Sequence, residues 1–300
     1  MMTEEFAKEF ARKREEVENV ISLYLPPEEG FQKTVIAASN YSVLNGGKRL
    51  RPMILRETYR LFDGKGRVAE PFMAAIEMIH CYSLVHDDLP AMDNDRYRRG
   101  NLTTHAKYGH ALGILAGDGL LNAAFEAALA AEEPDGSGRR IIAALRILAE
   151  KAGAFGMVGG QTVDVEKTGQ PMSEEELTFV YRLKTGALLM SAMQIGAVLA
   201  GASKEVVDAC GEIAERVGLA FQIQDDILDV AGTMKELGKA IGSDEKNHKT
   251  TYVTLHGMRE SRETEENLSE EALAILAGLP GGEAKEPLAE LIASLVGRTV

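Results

Sequence analysis

Residues 75–100 read AIEMIHCYSLVHDDLPAMDNDRYRRG, an apolar helical run that ends in a cluster of acidic residues. Four aspartates fall within positions 87–95, just after the apolar part of the run. Carboxylates at the carboxyl end of a helix are unfavourable, because the helix dipole places negative partial charge there. We therefore expect cations to compensate this cluster.

A second acidic cluster, FQIQDDILD, occupies residues 221–229. Asp225 and Asp229 are four residues apart and Gln222 lies three residues before Asp225, so on a helix these side chains share one face. The other side of this helix is predicted to face the core through three aliphatic residues: Ile223, Ile227 and Val230. A lone acidic pair on a helix is more often solvated surface, so the case for a site depends on both clusters together.

The acidic clusters favour Mg²⁺ as the compensating cation. They offer hard oxygen ligands without neighbouring histidine pairs, which argues against zinc or copper. An EF-hand starting at Asp93 fails, because Arg98 and Thr104 stand where its loop needs Gly and Glu. Mg²⁺ commonly completes its coordination shell with phosphate oxygens, so the ligand is predicted to be phosphorylated.

Basic residues stand where such a phosphate would need them. Residues 46–52, GGKRLRP, place three cations in four positions beside a glycine pair. A P-loop is excluded, because Ser42 and Arg49 occupy positions that require Gly and Ser or Thr. Further basic residues follow the two clusters or interrupt an apolar helix: Arg98, Arg99, Lys184, Lys239, Lys246 and Lys249.

The composition narrows the class of protein. The chain has 300 residues, 45% of them apolar, and a formal charge of −13 from 33 basic and 46 acidic residues, which argues against nucleic acid as a partner.

Two distant cysteines, Cys81 and Cys210, suggest a reducing compartment without disulfides. The amino terminus lacks a signal-peptide pattern, and the longest apolar stretch, 187–202, is shorter than the roughly 18–20 residues of a spanning helix. We expect a cytoplasmic protein without stable membrane insertion.

Helical periodicity dominates the chain, and alternating β-branched runs are missing, so we predict an all-α fold without a sheet. A first helix covers 6–24 and stops before Pro26-Pro27. A capping box is predicted at Ser173 and Glu176, and the charged run 259–271 is predicted to be solvated surface. The remaining helices are predicted at 33–45, 52–62, 68–88, 104–131, 138–158, 173–201, 204–230, 250–258, 269–277 and 284–296. One domain, 1–300, of about ten helices is the economical interpretation.

Five motifs in this order resemble the trans-isoprenyl diphosphate synthases, and among them the bacterial farnesyl diphosphate synthases. The resemblance runs from about Tyr41 to Tyr252. The motifs are Gly46–Pro52, Asp87-Asp88-x4-Asp93 closing in Arg98-Arg99-Gly100, Gly159-Gly160-Gln161-x2-Asp164, Lys184-Thr185-Gly186, and Phe221-Gln222-x2-Asp225-Asp226-x2-Asp229. The resemblance implies a bundle of mostly antiparallel helices around a deep apolar cavity, usually homodimeric.

The resemblance also implies roles for individual residues. Mg²⁺, with three ions per active site, would be bound by Asp87, Asp88, Asp93, Asp225 and Asp229. The allylic diphosphate would be contacted by Arg98, Lys184 and Lys239. The diphosphate of isopentenyl diphosphate would be held by Lys48, Arg51, His80 and Arg99. Gln222 and Thr185 would line the space where the allylic cation forms, and no protein nucleophile is needed.

The spacing within the first motif needs an explanation. Asp87 and Asp93 are six residues apart, about 240° around an ideal helix, so they cannot share a helical face. Pro90 lies between them and should distort the helix, because it lacks a backbone donor. The same proline-containing extension occurs in bacterial short-chain members of the family. We therefore expect the chain to turn back and bring Asp93 towards Asp87.

Product length is predicted from the residues one helical turn before the first motif. Tyr82 and Ser83 lie there, and a bulky Tyr82 resembles enzymes that stop at C15, farnesyl diphosphate. Geranylgeranyl diphosphate is the close alternative. Two rival classes stay open: a terpene cyclase, whose second metal motif mixes Asn, Ser and Glu, and a non-catalytic subunit of a heteromeric prenyltransferase, in which the acidic motifs are usually degraded.

Overall fold

The computed structural model describes residues 4–133, 136, 138–231 and 249–296. These residues are overwhelmingly helical, which confirms the all-α fold. They form two compact units. The amino-terminal unit comprises Glu5–Arg56 and Lys65–Leu145, and the carboxy-terminal unit comprises Glu4 with the described residues of Glu57–Gly64 and Arg146–Val300.

The helices follow one another with short connections. In chain order they are α1 (Glu4–Leu23), α2 (Lys33–Leu44), α3 (Leu50–Leu61), α4 (Glu70–Asp87), α5 (Thr104–Tyr108), α6 (His110–Leu129), α7 (Arg139–Ala152), α8 (Met157–Glu166), α9 (Glu174–Val180), α10 (Ala187–Ala200), α11 (Lys204–Ala231), α12 (Tyr252–Gly278) and α13 (Glu286–Val296). A π-helical segment (Tyr181–Gly186) joins α9 to α10, and a 3-10 turn (Gly282–Lys285) precedes α13.

Helix α4 forms the centre of the amino-terminal unit. Its side chains are apolar on nearly every face, and a helix of that kind must be buried on all sides. Helix α6 packs closely against it, and Gly117 presents no side chain at the contact. A Cβ atom at Gly117 would overlap the imidazole of His86. This packing fixes the end of α4, where the first acidic motif begins.

Helices α10 and α11 form the core of the carboxy-terminal unit. The two helices pack against each other, and both carry aliphatic residues that are fully or almost fully buried, among them Leu188, Ile195 and Ile213. Gly218 of α11 lies against Gly186 at the end of the π-helical segment, where an added Cβ would come within 2.9 Å of the Gly186 Cα. Helix α12 packs along α11. The second acidic motif thus lies on a helix held from two sides.

Several predicted helix boundaries are wrong, each for a local reason. The predicted helix 104–131 is two helices, because Gly109 adopts a φ of 90° between them. The predicted helix 138–158 ends at Ala152, and α8 was not predicted. The segment α12 is interrupted at Gly257, whose φ of 78° and ψ of 163° are not helical, so two helices lie there as predicted, but the second one already runs through the charged segment 259–271 instead of starting at 269.

The prediction of no sheet is also wrong, although only by a small hairpin. Strand β1 (Tyr97–Arg98) pairs antiparallel with β2 (Asn101–Leu102). The two turn residues, Arg99 and Gly100, have φ values of 55° and 81°, the pattern of a two-residue hairpin turn whose twist suits the flanking strands. The capping box of Ser173 and Glu176 is confirmed, with both reciprocal bonds present.

Two helical stretches are long and apolar enough to cross a membrane when judged by length and composition alone. They are His110–Leu129 and Glu174–Ala200. The most apolar window of Glu174–Ala200 is 67% buried within the protein, which is the behaviour of a core helix, whereas that of His110–Leu129 is 39% buried.

Candidate active site

The first acidic motif turns back on itself as predicted. Helix α4 ends at Asp87, and the Asp93 N–H then donates a hydrogen bond to the Asp87 carbonyl oxygen at 2.8 Å. Pro90 lies within the intervening turn. This bond confirms for the backbone that Asp93 returns to Asp87. The Asp93 side chain is exposed and that of Asp87 is half-buried.

Asp88 and Arg98 are bonded to each other. The Arg98 Nε and Nη2 atoms donate to Asp88 Oδ1 at 2.9 and 2.7 Å, and Nε also lies 3.1 Å from Oδ2. Asp88 is 3% exposed, so a charged partner is needed to offset the cost of burying its carboxylate. The predicted metal ligand Asp88 and the predicted diphosphate ligand Arg98 therefore neutralise one another in this structure.

The hairpin brings Arg99 onto the glycine pair of residues 46–52. The Arg99 Nη1 atom donates to the Gly46 carbonyl oxygen, and an added Cβ at Gly47 would come within 2.6 Å of the same nitrogen. Gly46 and Gly47 have φ values of 81° and 136°, so both positions also require glycine for their backbone conformation. Two motifs whose contacting residues are 53 positions apart in sequence thus meet in the amino-terminal unit.

His80 lies within a cluster of arginines. Burial, and then the positive charges of Arg51, Arg99, Arg98 and Arg49, hold the pKa of its imidazole well below the ordinary value. The ring is therefore neutral at pH 7, and it can donate or accept a hydrogen bond without adding charge. Glu77 and Asp88 offset two of the four arginine charges through their ion pairs with Arg49 and Arg98.

One of these arginines has an unsatisfied donor. The Arg51 Nε atom is buried and has no hydrogen-bond partner among the residues that the structure describes. A buried donor without a partner is costly, and a ligand with acceptor oxygens would satisfy it. The amino-terminal unit also contains a cleft, of about 310 Å³ with open solvent included, whose lining does not include Arg51. Its walls include Asn45, Asp88 and Arg99, and Asn45 was not predicted as a site residue.

Arg49 holds the loop of residues 46–52 in place. Its backbone adopts a φ of 52°, and its Nη1 atom donates to Glu77 of α4 at 2.7 Å, with both side chains 2% exposed. Its Nη2 atom donates to the Val43 carbonyl oxygen at 2.6 Å. The predicted ligands Lys48, which is exposed, and Arg51, which is half-buried, lie on either side of this anchor.

The second acidic motif is divided between two environments. On α11, Asp225 and Gln222 are half-buried, whereas Asp229 is 3% exposed. Asp226 is also buried, at 8% exposed, and Val230 is 63% exposed, so the prediction that Val230 faces the core is wrong. Asp226 can be buried because hydrogen-bond donors surround it, a feature that helical periodicity does not reveal.

Lys184 is paired with Asp164 inside the carboxy-terminal unit. The Lys184 Nζ atom lies 2.5 Å from Asp164 Oδ2, and Lys249 Nζ lies 4.0 Å from Oδ1. Gly160 of α8 makes this pairing possible, because a Cβ there would overlap the Lys184 backbone nitrogen. Asp164 belongs to the Gly-Gly-Gln-x2-Asp motif, but it was not predicted as a site residue.

Lys184 and Thr185 lie within the π-helical segment Tyr181–Gly186. Such segments are rare and occur frequently at functional sites.

The predicted ligand Lys239 lies outside the described residues. Of the two predicted length-determining residues, Tyr82 is 6% exposed and contacts the His86 ring edge-on, and the Ser83 hydroxyl donates to the His80 carbonyl oxygen.

The carboxylates of the two acidic motifs offer the hard oxygen ligands that Mg²⁺ prefers. Within the described residues, no three His, Cys, Asp or Glu side chains are gathered closely enough to hold a metal ion. Mg²⁺ is usually bound through one or two carboxylates together with water and substrate phosphates, so a preformed cage of three ligands is not required. Asp87, Asp93 and Asp225, which are all at least partly exposed, fit that mode of binding.

The Asp164–Lys184 pair gives a pH-dependent prediction. Burial acts to raise the pKa of Asp164, but the charges of Lys184 and Lys249 outweigh it and hold the pKa below the ordinary value. Such a carboxylate stabilises the folded state above the unfolded pKa of about 3.9, and the effect is lost as the pH falls through the folded pKa. Asp164→Asn should therefore cost about 1–2 kcal/mol at pH 7 and progressively less below pH 4.

Thermal melting followed by circular dichroism between pH 7 and pH 3 measures this difference. Asp208→Asn is the matched control, because Asp208 pairs with Lys204 at the surface, where an ion pair contributes little. A destabilisation by Asp164→Asn that stayed constant over the whole pH range would contradict the prediction.

Comparison with known proteins agrees with these features. The family model described as polyprenyl synthetase matches residues 32–277. A farnesyl diphosphate synthase from Geobacillus stearothermophilus is 42% identical over 88% of this chain and 87% of its own length. A geranylgeranyl diphosphate synthase from Cyanophora paradoxa is also 42% identical, over 87% of this chain and 86% of its own length. The crystal structure of an FPP/GFPP synthase from Zymomonas mobilis matches with a TM-score of 0.84 at 32% identity, covering 97% of this chain and 98% of that one.

The chain belongs to the polyprenyl synthetase family. Within it, the chain is of the short-chain trans-prenyl diphosphate synthase type, and it is an enzyme. The relatives include enzymes named for C15 and for C20 products at the same identity, so product length is a separate question.

Proposed function

We propose that the chain condenses isopentenyl diphosphate with dimethylallyl or geranyl diphosphate to give farnesyl diphosphate. The observation that carries this proposal is the cluster of Arg51, Arg99 and the neutral His80, in which the buried Arg51 Nε lacks a partner among the described residues. This cluster is suited to a diphosphate, because guanidinium groups bind phosphate through paired hydrogen bonds. A terpene cyclase needs one diphosphate site, whereas a synthase needs a second one for isopentenyl diphosphate.

We propose that the two acidic motifs bind the allylic substrate through Mg²⁺, as the family generally does. Asp87, Asp88, Asp93, Asp225 and Asp229 are the proposed ligands, for three ions per site. When bound, Mg²⁺ would neutralise negative charge on the departing diphosphate. Asp88 is the ligand whose role requires a change, because it would have to exchange its bond with Arg98 for the ion.

The remaining residues orient the substrates and stabilise charge. Arg98, Lys184 and Lys239 are proposed to contact the allylic diphosphate, and Lys48, Arg51, His80 and Arg99 the diphosphate of isopentenyl diphosphate. With both diphosphates held, the double bond of one substrate lies beside the allylic carbon of the other, which converts a bimolecular reaction into a positioned one. Gln222 and Thr185 would face the allylic cation with polar oxygens. Water must be excluded from this space, because it would hydrolyse the cation.

The direct test is incubation with labelled isopentenyl diphosphate, an allylic primer and Mg²⁺, followed by chain-length analysis. We expect a C15 allylic diphosphate that disappears when EDTA is added. A cyclised hydrocarbon would instead support a terpene cyclase. Product formed only after a second prenyltransferase subunit is added would support a non-catalytic subunit. Either outcome would contradict the proposal.

Product length gives a prediction at Tyr82. This residue is buried on α4, five residues before Asp87, and the proposal makes its ring part of the floor that stops the growing chain. Tyr82→Ala should shift the main product from C15 to C20 or longer, because removal of the aromatic ring leaves room for a longer prenyl chain. Tyr82→Phe retains the ring and is the matched control, with C15 expected. An unchanged C15 distribution in Tyr82→Ala would move the stop to other residues.

We further propose a cytoplasmic homodimer without nucleic-acid partners or stable membrane insertion. Cys81 and Cys210 are both buried free thiols, as expected in a reducing compartment. Sedimentation at micromolar concentration would test the dimer, and a monomer that turns over substrate would contradict it.

A further inference from the structure

The Asp226 side chain of α11 joins two separate parts of the carboxy-terminal unit. Its Oδ2 atom accepts a hydrogen bond from the Tyr181 hydroxyl at 2.6 Å and another from the Tyr252 backbone N–H at 2.7 Å. Hydrogen bonds to a carboxylate are stronger than those between neutral groups. Asp226 therefore links α11 to the residue that begins the π-helical segment and to the residue that begins α12.

The link through Tyr181 bears on the π-helical segment. Tyr181 is 7% exposed, and its ring packs in a small apolar cluster with Leu177 and Val180 of α9. Three and four residues further along the segment lie Lys184 and Thr185. A π-helical turn is strained relative to an α-helical one and needs support from its surroundings. The bond from the Tyr181 hydroxyl supplies such support at the start of the segment.

The link through Tyr252 fixes the chain where it enters α12. Thr251 caps this helix, and the Thr250 hydroxyl accepts a hydrogen bond from the Met172 N–H at 3.0 Å. Lys249, whose ammonium group lies 4.0 Å from Asp164, directly precedes these residues. The Asp226 carboxylate therefore holds the backbone close to both lysines that lie beside Asp164, Lys184 and Lys249.

We propose that Asp226 is a positioning residue of the synthase site. It contacts no substrate in this account, and it acts by holding the π-helical segment so that Lys184 is presented to the allylic diphosphate. The inference depends on the proposed function for its consequence in catalysis, but the link itself can be tested without turnover. It also gives the two adjacent aspartates of the motif different tasks: Asp225 binds metal, and Asp226 orients the segment.

The kinetic test uses Tyr181→Phe, which keeps the ring and removes one of the two bonds, and Asp226→Asn, which keeps the shape and removes the charge. We expect kcat/KM for the allylic diphosphate to fall about tenfold in Tyr181→Phe and about a hundredfold in Asp226→Asn, corresponding to about 1.4 and 2.7 kcal/mol. The KM for isopentenyl diphosphate should not change, because its proposed ligands lie in the amino-terminal unit.

Ser173→Ala is the matched structural control. It removes the capping box of α9 in the same unit and should lower the melting temperature, without touching Asp226 or Tyr181. We expect its kcat/KM for both substrates to stay within twofold of wild type. A raised KM for isopentenyl diphosphate in the Asp226 and Tyr181 variants, or no loss of kcat/KM for the allylic diphosphate, would overturn the positioning role.

Hydrogen exchange provides the readout that does not depend on activity. Backbone amides of 181–186 and 252–256 should exchange faster in Asp226→Asn than in wild type, and at the wild-type rate in Ser173→Ala. An inactive wild-type protein would contradict the proposed function alone, since exchange still decides whether Asp226 holds the two segments. Unchanged exchange in Asp226→Asn would overturn the inference whatever the activity.

Discussion

Asp225→Ala is expected to lower kcat by about a thousandfold or more while leaving the helical content of the protein unchanged. The carboxylate is half-buried on α11, a helix that packs against α10 and α12. Removing a charged group that stabilises a leaving diphosphate costs on the order of 4 kcal/mol in the transition state. Asp87→Ala should have an effect of the same size, since it removes a ligand of the first motif.

Steady-state kinetics with saturating Mg²⁺ measures the loss, and far-ultraviolet circular dichroism checks the fold. Asp208→Ala is the matched control, because Asp208 lies on the same helix at the surface, paired with Lys204. It should retain wild-type kcat. Activity of Asp225→Ala within tenfold of wild type would contradict its role as a metal ligand.

The second large effect is expected on stability. Glu77→Ala leaves the Arg49 guanidinium in the interior without its main partner, and Glu18 at 3.4 Å is a weaker and more exposed substitute. Breaking a buried ion pair by removing one partner typically costs about 3–5 kcal/mol. Urea or thermal unfolding should show this loss, with far weaker binding of isopentenyl diphosphate in the remaining folded protein, because Arg49 anchors the loop of Lys48 and Arg51.

Glu70→Ala on the same helix is the matched control for stability. Glu70 pairs with the exposed Arg67 and should contribute no more than about 1 kcal/mol. The double variant Glu77→Met, Arg49→Met should recover part of the lost stability, since two apolar side chains leave no unpaired charge. If Glu77→Ala unfolded at the same urea concentration as Glu70→Ala, the buried pair would have no structural role.

Local sequence signals placed much of the fold correctly. The first helix stops before Pro26-Pro27, the capping box begins α9 at Ser173, and the chain turns back through Pro90. Each of these features is determined by a few neighbouring residues: a missing backbone donor, a side chain that bonds the first turn, or a ring that blocks the helix. Features of that kind can be derived without knowledge of what lies nearby in space.

The features that were missed depend on contacts between distant residues. Helix α8 contains Gly159 and Gly160, which are poor helix formers, and it is stabilised by packing that only glycine allows. The Arg99–Gly100 turn is paired with the Gly46 carbonyl group through the Arg99 side chain. Burial of Asp226 requires donors from residues 45 positions before it and 26 after it. No local pattern predicts such partners.

The sequence predicted which residues belong to the candidate site, but it did not predict which of them are bonded to each other. The motif residues Asp88 and Arg98 are bonded to each other, and Lys184 is bonded to Asp164. In the proposed mechanism both pairs must open or rearrange when a diphosphate and its ions bind. Each pair offsets the cost of holding its two charges partly buried.

The most direct measurement is a crystal structure of the protein with Mg²⁺ and a non-reactive thio analogue of the allylic diphosphate. We predict Mg²⁺ ions on a single diphosphate with ligands from both acidic motifs, Asp87 and Asp93 from one and Asp225 from the other, and with Lys184 on the same diphosphate. A diphosphate bound without ions, or ions bound to only one of the two motifs, would contradict it.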